Sequence, residues 1–451
     1  MEDDFFTNGL IERYEEMLES NQMNYFDSED FCEIITYYLD VNNIEMAKKA
    51  IKYATDQHPA DSSIKLKVLE FYIQIKKFNI AEVLMEELKQ MHLDHPDYNI
   101  CLAKYHSQKK QHHKSIAYYK IALKNSDEEN YILNCIGTEY YQFLNEPENA
   151  LYYFKKAFEV DLEDDFSFFS TVQCYNDLGE HLNALMFLDQ CIEKEPYWED
   201  AWFQKGLQLI CLERYKEAFS AFEYAWIVNE DSVSNYIQMA YCLDKIGEYT
   251  KALELYYQAL ELDPNSASTY LKIGKCYLAE EKYTSAIRAL QKSIQLDPQM
   301  DQTWDTLAVI YSELEDWLEA IHHQNQAIEL DAENISYYKK LAYYSIEAGF
   351  LEEAAEIYSK IIKEEPKRYS NWLTLIELFI SLGDFGKAID LILGAQRKFE
   401  EPELNYFLAN CYFKTRKTSL GKETLQKAVA FKPQILKEML VYFPLLKKHL
   451  E

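Results

Sequence analysis

From Ser268 to Pro298, apolar side chains recur at helical spacing in Tyr270, Ile273, Gly274 and Tyr277, then give way to a polar turn. A second helical stretch carries Ala286, Leu290 and Ser293, and Asp297-Pro298 stops it, because proline has no N–H with which to continue a helix. Spacings of three and four residues belong to one face of a helix, so the segment predicts a helix–turn–helix. Thirty-four residues on, the pattern returns in Trp304, Leu307, Ala308, Tyr311, Ala320 and Ala327. It returns again in Tyr338, Leu341, Ala342, Ala354, Tyr358 and Pro366.

The same template lays twelve units on the chain: 28–61, 62–95, 96–129, 130–164, 165–198, 199–232, 233–266, 267–300, 301–334, 335–368, 369–401 and 402–435. The twentieth position of each unit is always small. It reads Ala47, Ala81, Ser115, Ala150, Ala184, Ala218, Ala252, Ala286, Ala320, Ala354, Ala388 and Gly421. A larger side chain there would push apart the two helices of a unit, at a cost of roughly 1–3 kcal/mol by overpacking. Fourth-position aromatics (Phe31, Phe168, Trp202, Tyr236, Tyr270, Trp304, Tyr338, Trp372) are the expected knobs between helices. Gly179, Gly247, Gly349 and Gly383 share one turn position, where a left-handed backbone is easiest for glycine. The unit at 130–164 has one residue more than the others near Asn145-Glu146-Pro147, which predicts a longer turn between its helices. Units 62–95 and 96–129 have Lys65 and Asn99 in place of the aromatic.

These residues resemble the tetratricopeptide-repeat (TPR) family, whose 34-residue unit has this arrangement of aromatic, Leu-Gly/Ala, Ala and Pro positions. The resemblance covers nearly the whole chain. It implies an all-α fold, a right-handed α-solenoid of about twelve units with helical caps. The caps are expected at 1–27, an acidic amphipathic helix with Phe5, Phe6, Leu10, Ile11, Tyr14 and Met17, and at 436–451, a final helix interrupted by Pro444. The apolar run Met439–Phe443 is read as part of that cap, covering the last unit. No Gly/Ser/Pro linker interrupts the array at 28–435, so a continuous superhelix is expected.

The resemblance further implies that positions two, five, six, nine, twelve and thirteen of each unit line a concave groove. The family's carboxylate clamp for chaperone C-termini is missing: Lys339 is the only fifth-position lysine and its ninth-position companion is Tyr343. The family's asparagine ladder is missing too, since no sixth position is asparagine. Units four to seven instead offer aromatics, Tyr131, Tyr141, Phe166, Phe169, Phe203 and Tyr241, beside the amides Gln173, Gln204 and Gln238. Groove aromatics without a core duty would anchor a partner's helix or extended segment; the alternative is that Phe166 and Phe169 pack on a neighbouring repeat. Units eight to ten offer Lys272, Lys275, Lys339 and Lys340, a basic spot suited to an acidic segment, unless these lysines merely balance local acids.

Charge changes the picture of partners more than that of the fold. The formal net charge is −30, which repels nucleic-acid phosphates and keeps a long array soluble, or else marks a basic partner. Residues 1–27 carry eight acids against Arg13 alone, whereas 402–451 carry nine bases against four acids. Pairing of acidic and basic ends between chains is one reading of that asymmetry, and drift in surface charge is the other. No stretch approaches the roughly 20 apolar residues that span a bilayer, so no membrane insertion is expected. There are nine cysteines and no CxxC pair, and the N-terminus lacks a signal-peptide pattern, so a cytoplasmic setting is expected. Cys174, Cys242, Cys276 and Cys411 share the tenth position, as small core filler.

No phosphate loop, nucleophile elbow or H-E-x-x-H occurs, so no catalytic residue, metal or cofactor is expected. His92, His95, His106, His112, His113 and the pair His322-His323 lack completing ligands at recognisable spacing and read as solvated histidines. The expected function is a scaffold or adaptor holding a protein or peptide in the groove. A peptide-responsive sensor regulating an enzyme or transcription factor, and a structural subunit of a larger assembly, are the alternatives.

Overall fold

The computed structural model describes the backbone of residues 2–20, 24–92 and 95–450, and the side chains of residues 9–20, 24–89 and 95–450. Phe5, Phe6 and His92, singled out above, have side chains outside the described set. The described residues are helical throughout, with no strand among them.

Twelve helix pairs follow one another between Ser28 and Phe431. The first six are Ser28–Asp40 with Ile44–Gln57, Ser62–Gln74 with Phe78–His92, Pro96–Gln108 with His112–Ala122, Glu129–Thr138 with Pro147–Val160, Asp165–Leu178 with His181–Lys194, and Glu199–Cys211 with Tyr215–Val228. The next three are Val233–Ile246 with Tyr249–Leu262, Ala267–Ala279 with Tyr283–Leu296, and Asp301–Glu313 with Trp317–Leu330. Ile335–Glu347 with Leu351–Glu364, Tyr369–Ser381 with Phe385–Gln396, and Glu403–Lys414 with Thr418–Phe431 complete the array. By packing, the chain forms two compact units: Met1–Pro196 with Leu207–Leu212, and Tyr197–Gly206 with Glu213–Glu451.

Local chemistry sets the helix ends. Asp27, Asp61, Asp164, Asn334 and Asp384 each accept a backbone N–H of the helix they precede, filling one of its orphan donors. Each pair then turns through one left-handed residue. These are Asn42, Lys76, Lys110, Asn145, Gly179, Glu213, Gly247, Glu281, Glu315, Gly349, Gly383 and Arg416, with φ between 54° and 87°. In ten of them the following N–H closes the turn on the carbonyl five residues before it, as in Glu180 to Tyr175 at 2.9 Å and Lys282 to Tyr277 at 2.8 Å; after Asn145 the Glu146 N–H reaches six back, to Tyr140. Only four of these twelve residues are glycine. The other eight hold a conformation that disfavours a Cβ.

The small-residue ladder is buried throughout, and every alanine in it has no exposed surface. Close approach also decides the eighth position in several units. A Cβ on Gly206 would lie 2.5 Å from the Phe222 ring, which fills the space between the helices of its pair. Of the fourth-position aromatics, Phe31 and Phe168 are fully buried and Trp372 nearly so, whereas Trp202, Tyr236, Tyr270, Trp304 and Tyr338 are half-buried. In the third unit, where no aromatic holds the fourth position, Tyr98 takes over from the third and donates its hydroxyl to the Met85 carbonyl at 2.9 Å.

The extra residue of the fourth unit does not lengthen the turn, contrary to the expectation above. It is absorbed inside the first helix as a π-helical segment, Glu139–Phe143, where the Leu144 N–H donates to the Glu139 carbonyl at 3.2 Å. The turn that follows keeps the length and the left-handed residue of its neighbours.

At the start of the chain, Leu10, Ile11, Tyr14 and Met17 bury against Phe26, Phe31 and Tyr38, so the helix Glu2–Ser20 covers the first pair. At the other end, Leu436–Tyr442 is a short helix and Pro444–His449 a 3-10 segment. Phe443 and Leu446 bury against the last pairs, whereas Val441 and Tyr442 stay largely exposed.

Candidate functional site

In the first compact unit, Tyr131, Phe166 and Phe169 leave 41%, 51% and 39% of their surface exposed, although Phe168 between the last two has none. Phe166 also touches the preceding repeat, its ring 5.9 Å from that of Phe154 in an edge-on contact. Tyr141 and Gln173 are tied down by a single carboxylate: the Tyr141 hydroxyl donates to Asp177 at 2.5 Å and the Gln173 amide at 2.9 Å. That hydrogen bond, with burial second, pushes the Tyr141 phenol up to about 12. In the second compact unit, Phe203 and Tyr241 are half-buried, and the Phe203 ring meets Phe222 at 5.3 Å. Gln204 and Gln238 are half-buried beside them in sequence.

The four lysines divide into two kinds. Lys339 pairs with Glu365 at 2.7 Å, and Lys340 lies 2.8 Å from both oxygens of Asp305. These two balance local acids. Lys275 instead donates to the Gln302 side-chain oxygen at 3.3 Å, and the Lys272 ammonium lies 5.7 Å from the centre of the Tyr241 ring. A cleft of about 330 Å³ opens where Lys272 and Lys275 stand, with Tyr241 and Lys245 on its wall. Desolvation by the cleft, and for Lys275 the neighbouring Lys272 ammonium, hold both below the ordinary lysine range.

A second cleft, of about 400 Å³, lies on the first helices of the opening pairs. Glu29, Glu33, Glu70 and Asp97 line it together with Lys67. Glu70 is pinned by Lys104 at 2.5 Å and Lys67 at 3.2 Å. Burial raises the Glu70 carboxyl, but the two ammoniums outweigh it and leave the group below the usual carboxylate range.

Sequence reasoning missed a buried polar cluster at the π-helical segment. Glu139 holds the tenth position, where the fifth unit has Cys174, and it is almost fully buried. His112 Nδ1 lies 2.8 Å from one of its oxygens, and the Ser115 hydroxyl donates to the other at 3.1 Å. The His112 ring stacks on Phe143 at 4.6 Å. His112 is therefore not a solvated histidine. Nor is His106, stacked on Tyr118 at 5.2 Å, nor His323, stacked against Trp304 and Tyr311. The signal was present: a glutamate at a core position, one added residue, and the only serine of the small-residue ladder. The tenth-position cysteines are buried thiols, with Cys174, Cys242 and Cys411 pushed up to about 12 by burial. Among the described residues, no group of three or more His, Cys, Asp or Glu side chains is placed to hold a metal, and no helix is long and apolar enough to cross a membrane.

Comparison with known proteins bears on the repeat itself. Residues 245–280 match the model described as TPR repeat, and 267–300 and 301–334 each match that of the tetratricopeptide repeat. Over 75 residues the chain is 35% identical to an uncharacterised protein of Methanocaldococcus jannaschii, spanning 17% of this chain and 70% of that one. A tetratricopeptide repeat protein from Parabacteroides merdae is similar over 55% of this chain and 98% of its own, at 17% identity and a TM-score of 0.42. The APC/C hetero-tetramer Cut9–Hcn1 is similar over 91% of this chain and 95% of that chain, at 13% identity and a TM-score of 0.40. YrrB, a TPR protein with an unusual peptide-binding site, is similar over 41% of this chain and 95% of its own, at 23% identity and a TM-score of 0.34. With twelve helix pairs in register, a buried small-residue ladder and three matched repeat segments, the chain belongs to the tetratricopeptide-repeat family.

Proposed function

We propose that this chain is a non-catalytic interaction scaffold, cytoplasmic, that holds protein or peptide partners on the faces its first helices expose. The observation that carries this reading is the exposure of Tyr131, Phe166 and Phe169 on first helices of adjacent repeats. Each leaves about two-fifths to half of a large ring exposed in a fold that fully buries Phe168, the neighbour of Phe169. Covering the exposed part of one such ring, about half of it, would contribute roughly 0.7–1.5 kcal/mol to a complex. Gln173 offers an amide on the same helix as Phe166 and Phe169. In the second compact unit, Phe203, Gln204, Gln238, Tyr241, Lys272 and Lys275 belong to the same reading, whereas Lys339 and Lys340 are engaged by Glu365 and Asp305. The nine cysteines are all free thiols, which supports a reducing compartment.

Affinity capture from the native host tests the reading, with the wild-type chain and a Phe166→Ala/Phe169→Ala variant as baits and cross-linking to map contacts. The expected result is a set of partners that cross-link to first helices and are lost with the double variant. Equal capture by both baits, with cross-links confined to second helices, would overturn it.

A further inference from the structure

In a chain with 76 acids and 46 bases, Lys65, Lys67, Lys104, Lys339 and Lys340 of the first helices each have a carboxylate partner. Lys104, at the ninth position of the third unit, is paired with Glu70. Lys340, at the sixth position of the tenth unit, is paired with Asp305. The same two positions of the eighth unit hold Lys275 and Lys272, and neither has a carboxylate within ion-pair distance among the described residues. Lys245, from the seventh unit, joins them: its ammonium lies 5.3 Å from the centre of the Tyr241 ring that also attracts Lys272.

The three ammoniums converge on the cleft of about 330 Å³, close to the lower end of volumes that hold a ligand. The acids on its wall are already engaged. Asp301 accepts from the Tyr337 hydroxyl, and Asp244 accepts from the Cys276 thiol at 3.6 Å. Leu271 and Met300 add apolar surface between the charges.

We propose that this cleft is the docking site for an internal acidic segment of a protein partner, whose side-chain carboxylates pair with Lys245, Lys272 and Lys275. This rests on the scaffold reading above and names the partner chemistry of one part of it. An extended segment fits better than a compact dianion such as phosphate, because Asp244 and Asp301 stand among the lysines and would repel two charges on one centre. Carboxylates spaced along a chain reach the lysines while their methylenes lie on Tyr241 and Leu271. Desolvation depresses both ammoniums, and Asp244 near Lys272 and Asp305 near Lys275 offset it only in part.

The test is fluorescence anisotropy of the full chain with a short fluorescein-labelled peptide of alternating glutamate and serine, amidated at its C-terminus. Parallel arms use the glutamine analogue, a phosphoserine peptide and inorganic phosphate as competitor. Lys272→Gln/Lys275→Gln should weaken the glutamate peptide by about tenfold or more, near 1.4 kcal/mol. Lys251→Gln makes the control, since Lys251 sits on a second helix and pairs with Glu248, and it should change affinity less than about twofold. Lys251 and Lys275 are exposed and Lys272 is half-buried, and equal melting temperatures would confirm that both variants fold.

Binding of the glutamine analogue as tight as that of the glutamate peptide would overturn the proposal, as would equal losses from the two variants or no binding at low salt. A preference for phosphoserine or free phosphate would overturn the carboxylate assignment in favour of a phosphoryl ligand. The scaffold reading fails separately, because its capture experiment depends on Phe166 and Phe169 in the other compact unit.

Discussion

The left-handed turn residues make a quantitative prediction. Glu213, Glu281 and Glu315 sit at φ of 57°, fully in the region that a Cβ disfavours, and their side chains make no hydrogen bond or ion pair among the described residues. An L-residue there costs roughly 1–2 kcal/mol. Glycine removes that strain, but its freer unfolded chain returns about 0.5–1 kcal/mol of it. Each of Glu213→Gly, Glu281→Gly and Glu315→Gly should therefore stabilise its turn by about 0.5–1 kcal/mol. The three turns share no partner, so the triple variant should gain about 1.5–3 kcal/mol. Urea unfolding followed by far-UV circular dichroism measures this, with the slope held to check that the transition keeps its cooperativity. Glu281→Gln separates charge from backbone, because it relieves the acidic surface without freeing φ. Gly247→Ala is the reverse experiment: its new Cβ would meet nothing within 4 Å, so the loss is backbone strain less the unfolded-chain entropy that alanine saves, about 0.5–1 kcal/mol net. A triple variant no more stable than the parent, together with a neutral Gly247→Ala, would refute the reasoning.

Other substitutions probe the interior. Gly206→Ala drives a methyl into the Phe222 ring and should cost roughly 1–3 kcal/mol, part of it regained with Phe222→Leu, by the same unfolding assay. Ser115→Ala removes one of the two hydrogen bonds to buried Glu139 and should cost about 1–3 kcal/mol despite matching the ladder's preferred alanine. Because the Glu70 carboxyl is depressed in the folded chain, its contribution is present above the ordinary carboxylate range and is lost as pH falls through the lowered folded value. Glu70→Gln should therefore be less stable than the parent at neutral pH, with the difference shrinking on acidification, as read by melting temperature across pH. A thiol reagent at neutral pH should find one fast cysteine, Cys211, which is exposed; Cys174, Cys242 and Cys411 should react only after unfolding.

The repeat was legible because its requirements are local and recur: a small residue where helices cross, an aromatic knob, a stop. Turn glycines pointed to only four of the twelve left-handed positions, since Glu213 or Lys76 shows no preference for that backbone and is held there by the helices on either side. The added residue was visible, but its place was not. Asn145-Glu146-Pro147 looks like a turn insertion, and the fold instead widens the helix before it, keeping the turn at standard length. The partners of Lys339 and Lys340 were hidden for a different reason. Asp305 lies 35 residues from Lys340 in sequence and meets it only because successive first helices stack side by side. Reading the sequence one repeat at a time does not show contacts made between repeats.

The π-helical segment also has a bearing on how such an array changes over time. One residue added to a helix advances everything after it by about 100° around the axis. Here the wider π-helical turn takes up that rotation, and the residues inside it make contacts of their own, Tyr141 with Asp177 and Phe143 with His112, while the turn and the next helix resume the common geometry. A single-codon insertion can thus re-aim a handful of side chains in one repeat and leave the other eleven as they were. Lineages can diverge in what they grip without rebuilding the frame that does the gripping.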